Sequence, residues 1–181
     1  RPREGARPMA GASAPRQRGG GTYGWTPGGW ADDTQTPVAL LTPVGAGDRS
    51  IDAVEGGLLA WYASRPRDIG THTGSVLGAG APLHSAAAAY QRLHPDNSPN
   101  GGLMRVGAAA LAFPRRPEQI EHYARPTTSL THAHSDCLHA SVTRTCAAAA
   151  TDPTPPGPAD PRDPPQPLRD VRPHGPRTRP Q

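Results

Sequence analysis

Lysine is missing altogether: all nineteen basic residues of the 181-residue chain are Arg. The formal charge of +4 is therefore partly a product of biased composition, and it is spread over the ends with few aromatics between. Nucleic-acid binders concentrate charge on one face, so a nucleic-acid partner is not expected. Aromatics make up 4% of the chain with a single Phe, and the 34% apolar fraction leans on Ala. Large side chains for a core are scarce, and any core will be thin. No apolar run approaches the roughly 20 residues of a membrane span, and the N-terminus lacks the apolar stretch of a secretory signal. A cytoplasmic protein with no membrane partner is the expectation. The two cysteines, Cys137 and Cys146, lie in what reads as one helix, about 13 Å apart at 1.5 Å per residue. They are expected to be free thiols. No repeat, no alternating strand pattern and no G-x-S-x-G, Walker or dinucleotide glycine pattern occurs, which removes solenoids and the common nucleotide and serine-hydrolase motifs.

Proline and glycine are abundant instead, at 24 and 21 residues, which borders on low-complexity composition. Residues 1 to 29 hold little to bury and read as flexible leader, and the Pro-rich chain from Asp152 reads as an extended, solvated tail. The domain boundaries expected are 1–21 for a disordered leader, 22–150 for the helical domain and 151–181 for a disordered tail. Within the middle the patterning is helical, so the class is all-α. Ile51, Val54, Leu58, Trp61 and Tyr62 fall at helical intervals over 51 to 64, with Asp52 and Glu55 facing away. Further helices are expected over 84–93, 101–113 and 117–125, and from a cap at Asp136 to Ala150. Pro37 and Pro43 oppose a helix after Asp33, at about 3 kcal/mol each in a helix interior. Gly56 and Gly57 weaken the next by up to about 1 kcal/mol each.

Three clusters carry chemistry. Asp32-Asp33-Thr34 stands where the leader meets the first helical stretch, and carboxylates there either cap the helix or bind a hard divalent cation. Asn100-Gly101-Gly102-Leu103-Met104-Arg105 is a turn of small residues opening an apolar helix. Its free backbone N–H groups suit a phosphate, or it is an ordinary Asn-Gly turn with the stem of Arg105 packed beside it. His132, His134, Cys137 and His139 have zinc-ligand chemistry but no second separated ligand pair, which argues against a structural zinc site.

Read in order, these segments resemble the ADP-ribosylglycohydrolase family, which includes the dinitrogenase-reductase-activating glycohydrolase. Gly29-Trp30-Ala31-Asp32-Asp33-Thr34-Gln35 is similar to its W-T-D-D-T-Q/S motif, and Trp61-Tyr62 with Arg67-Asp68-Ile69-Gly70 through Thr73 to its W-Y…D-I-G-x-x-T stretch. Ser98 to Arg105 follows A-G-N-G-S-L-M-R, and Leu130-Thr131-His132 matches L-T-H. The resemblance spans roughly residues 22 to 146. It implies an all-α hydrolase that cleaves the glycosidic bond between ADP-ribose and a protein side chain or small molecule. Two Mg²⁺ or Mn²⁺ ions serve as cofactor in the family. Carried over, Asp32 and Asp33 are catalytic metal ligands, Asn100, Gly101 and Gly102 line the ADP-ribose pocket, and His132 stands at its rim. The sequence also departs from the family: Ala31 replaces a ligating Thr, Thr71 an Asn, Gly102 a Ser and His134 an Asp. The opening G-x-x-x-G-D-A-x-G helix and the late D-x-D-[TS] motif have no counterpart, so the chain reads as truncated at both ends. Impaired hydrolysis is expected, with a non-catalytic remnant or an ADP-ribose-binding pseudoenzyme as the alternative. Core surface left open by missing helices would favour self-association.

Overall fold

The computed structural model describes residues 18–113 and 117–151. The first seventeen residues of the expected leader and the Pro-rich tail from residue 152 lie outside the described residues. The described residues form eight α-helices: α1 Asp32–Gly45, α2 Ile51–Ala63, α3 Thr71–Gly78, α4 Leu83–Leu93, α5 Gly101–Val106, α6 Ala108–Ala112, α7 Pro117–Ser129 and α8 Ser135–Thr151. No strand occurs among them, only an isolated bridge between Gly20 and Trp25. The all-α expectation is borne out.

The thin core is real. Its larger members are Trp61, Tyr123, Phe113, Leu40, Leu58, Leu77, Leu83, Ile120 and Leu130, with Val54 and Val106, and Ala108, Ala109, Ala110, Ala112, Ala124 and Ala149 fill the remainder. Small side chains bring helix axes close together, so a few bulky residues suffice to seal the centre. Helix α8 packs along α7 and covers α5 and α6, while α1 lies against α2, α5 and α6.

Several local expectations are corrected. Pro37 and Pro43 do not interrupt α1, which runs through both. Pro43 has no N–H to offer the carbonyl of Ala39 four residues earlier. That carbonyl faces α2 instead, where a Cβ on Gly57 would come within 2.5 Å of it. Gly57 is therefore the residue that lets α1 and α2 meet, whereas a Cβ on Gly56 would touch nothing. Glu55 does not face away, because its carboxylate accepts the Leu83 N–H at 3.1 Å and holds the start of α4. The single helix expected over 101–113 is two, broken at Gly107, a weak helix former at a point where the chain changes packing partners. The start of α8 is held not by Asp136 as a cap but by His134, whose Nδ1 accepts the Asp136 N–H at 3.1 Å. Within the expected leader, Gly20 and Trp25 exchange backbone hydrogen bonds of 2.6 and 2.9 Å around a tight turn, and the Arg67 guanidinium lies 6.0 Å from the centre of the Trp25 ring. Both cysteines lie on α8 and are free, as expected.

Candidate functional site

Helix α1 begins without a side-chain cap, because Ala31 occupies the N-cap position. The exposed N–H groups of a first turn need partners, and one comes from a distance: the Asp32 N–H donates to Oδ2 of Asp68 at 3.0 Å. Asp32 and Asp33 thus do not cap their own helix; Asp68, from the loop between α2 and α3, does so for them. Gly70, two residues on, is the N-cap of α3.

This brings three carboxylates together. Asp32 is half-buried and Asp33 exposed. Burial, then the charges of Asp68 and Asp33, pushes the Asp32 carboxyl above its ordinary range. Oδ1 of Asp68 is buried and has no hydrogen-bond partner among the described residues. Like charges held together with a spare oxygen are the condition that a cation relieves. Mg²⁺ keeps several waters and takes one or two carboxylates rather than a closed protein cage. Asp32 and Asp33 would give such an ion two carboxylates. No group of three His, Cys, Asp or Glu side chains suited to a metal is found among the described residues, so neither ion of a pair has a full protein ligand set there.

The second cluster meets α3 at Thr73, in the first turn of that helix. The N–H of Met104 is bonded to the Asn100 carbonyl at 3.0 Å, and Asn100 is exposed. Beneath the turn sits His132, 1% exposed. A Cβ at Gly101 would fall 2.9 Å from its Nε2 and 3.1 Å from the Thr73 hydroxyl, and one at Gly102 would fall 2.8 Å from Cγ2 of Thr128. The two glycines are therefore small so that the turn can lie on His132 and Thr128. His132 is not at an open rim; it is sealed under the turn.

Arg105 is sealed with it. Its stem is not packed beside a surface turn, since the whole side chain is 1% exposed. It donates to the Thr131 hydroxyl and to the Thr127 carbonyl at 3.4 Å, and desolvation lowers its pKa to about 10. The Thr131 hydroxyl, which accepts from Arg105, also lies 2.7 Å from Nδ1 of His132. Nε2 of His72 lies 2.7 Å from the Thr131 carbonyl and must donate, so its Nδ1 accepts from Asn97 at 3.2 Å. The two rings stack at 4.4 Å. Burial, with the charge of Arg105 next, drives His132 down to about 2, and burial is also the main cause of the lowered value of His72. Nε2 of His132 has no hydrogen-bond partner among the described residues.

Of the expected site residues, the structure gathers Asp32 and Asp33 beside Asp68, just before α3, and Gly101, Gly102 and His132 beside Thr73 in the first turn of that helix. Asp68 was contained in the D-I-G stretch but not singled out; the signal that identifies it is spatial, a hydrogen bond between residues 36 apart. The zinc-type residues do not converge: Cys137 donates to the Pro99 carbonyl at 3.3 Å. An open groove of about 460 Å³, lined by Asp52, Glu55, Gly56, Leu59, Ala81 and Pro82, holds none of the expected site residues.

Compared with known proteins, residues 2–172 match the family model described as ADP-ribosylglycohydrolase. The matched span is wider than the roughly 22–146 over which the motifs carry the resemblance. No curated protein matches the chain.

Proposed function

From the chain's place in the ADP-ribosylglycohydrolase family, to which it belongs, we propose that it hydrolyses the glycosidic bond joining ADP-ribose to a protein side chain or a small molecule, slowly as a lone chain and in the cytoplasm. The observation that carries this reading is the meeting of Asp32, Asp33 and Asp68 at the start of α1. Asp32 and Asp33 would hold a divalent ion, Mg²⁺ or Mn²⁺, which when bound supplies charge stabilisation and orients a water and the ribose hydroxyls. Asp68 keeps the carboxylate turn in place through Oδ2. Asn100, Gly101 and Gly102 would line the pocket for the rest of ADP-ribose, and His132 supports that turn from below. The loss of a hydroxyl at Ala31 and the absence of any three-residue ligand set among the described residues support slow turnover.

Release of ADP-ribose from an ADP-ribosylated protein, followed with and without Mg²⁺, tests the reading. Turnover that requires the ion and falls at least about a hundredfold in Asp33→Asn is expected. Turnover untouched by that substitution overturns the site. Absence of turnover with every metal, combined with an upward shift of the melting temperature by ADP-ribose, makes the chain an ADP-ribose-binding pseudoenzyme.

A further inference from the structure

Gln35 stands one turn into α1, and both ends of its amide are engaged. Its Nε2 donates to the Trp30 carbonyl at 2.6 Å, and its Oε1 accepts the indole N–H of Trp61 at 2.8 Å. An indole only donates and a carbonyl only accepts, so the amide has one orientation. Trp61 belongs to α2 and is 9% exposed. Gln35 therefore ties the segment just before the carboxylate turn to a buried side chain of the neighbouring helix. The segment's other ties are backbone ones, the Ala31 carbonyl accepting from the Thr34 and Gln35 N–H groups at 2.9 and 3.0 Å; Ala31 provides no side-chain cap, and the Asp68 carboxylate that accepts the Asp32 N–H repels that of Asp32.

We propose that Gln35 is a positioning residue for Asp32 and Asp33, clamping their turn between Trp30 and Trp61. This rests on the reading of the two carboxylates as ligands of a divalent ion. With the clamp gone, the Trp30–Ala31 segment swings and the first turn of α1 frays, so the two carboxylates lose their fixed separation. Residues that orient metal ligands from behind alter affinity about 10- to 100-fold.

The test uses the full chain and Mn²⁺ as the probe, with affinity from electron paramagnetic resonance. The indole ¹H–¹⁵N signal of Trp61, assigned by its loss in Trp61→Phe, reports the clamp. Gln35→Met fills the space without either hydrogen bond, and Gln35→Glu keeps the indole bond while setting an oxygen against the Trp30 carbonyl. Both should weaken Mn²⁺ about tenfold, the indole signal moving in the Met variant and staying in the Glu variant. Trp61→Phe should weaken it similarly, and Gln35→Met combined with Trp61→Phe no further than either alone. A Met variant with a shifted indole signal and Mn²⁺ affinity within about twofold of the parent overturns the proposal. Should the parent chain bind no Mn²⁺, the ion reading fails by itself. Hydrogen exchange at the amides of Asp32, Asp33 and Thr34 then decides the clamp: faster exchange in both variants upholds it, and unchanged exchange overturns it. Should Gln35→Met not fold, Gln35→Glu carries both measurements.

Discussion

Two clusters beside the start of α3, an acidic flank and a basic one, gather charge in opposite ways. At one, Asp32, Asp33 and Asp68 place like charges at a half-open surface, with a spare oxygen and no cationic side chain hydrogen-bonded to them among the described residues. At the other, Arg105, His72 and His132 are buried with no carboxylate hydrogen-bonded to them, and the histidines are neutral. An open cluster of one sign keeps its charge because water and ions reach it. A sealed one survives only by giving up every charge it can, and Arg105 alone cannot. The acidic flank is half-open to solvent, and the basic flank is sealed beneath the Gly101–Gly102 turn.

Arg105→Ala would break that contrast most severely. It opens a cavity and strips the Thr131 hydroxyl and the Thr127 carbonyl of their donor, at a cost of about 3–5 kcal/mol. Arg105→Met fills the volume without a buried charge and should lie within about 1.5 kcal/mol of the parent in denaturant melts. A Met variant as damaged as the Ala variant would show that hydrogen bonds, not bulk, hold the turn.

Acid acts on the two flanks with opposite sign. The folded-state pKa of His132 lies below its unfolded value of 6.5, so stability is full above pH 6.5 and falls as pH drops from there toward about 2. A single such histidine gives a slope approaching about 1.4 kcal/mol per pH unit within that window. His72 adds to it in the same direction. Asp32 is the reverse: its folded-state pKa is raised above 3.8, so its ionised form opposes folding at neutral pH and the penalty fades on acidification. Asp32→Asn should raise the neutral-pH melting temperature, and the gain should vanish in acid. A parent melting temperature flat from pH 7 to 4.5 would contradict the neutral buried histidines.

Adjacent glycines sharpen the account of the scaffold beneath the carboxylates. Gly57→Ala drives a Cβ into the Ala39 carbonyl and should cost about 2 kcal/mol through the forced separation of α1 and α2. Gly56→Ala meets open space and should gain about 0.5–1 kcal/mol. Equal effects from the two would mean that the helices part without strain.

Much of this was legible in the residues. The periodicity of Val54, Leu58 and Trp61 gave α2, and the motif order gave the family. Pro37 and Pro43 misled because helix propensity is local, whereas the approach of Gly57 to Ala39 is not. Glu55 misled because its partner, the Leu83 N–H, is 28 residues away. Asp32 and Asp33 stood out as an adjacent pair. Asp68 did not, because a lone carboxylate acquires meaning only from what it touches.

The sequence by itself determined that the chain is helical, that its two thiols are free, that its core is thin, and which family it belongs to. These follow from spacing and composition, which are properties of neighbours along the chain. Only the tertiary structure decided that Asp68 caps α1, that Gln35 joins Trp30 to Trp61, and that His132 and Arg105 lie sealed beneath the glycine turn. Each of those depends on groups brought together across tens of residues, and burial, which sets their charge state, exists only once the helices have packed.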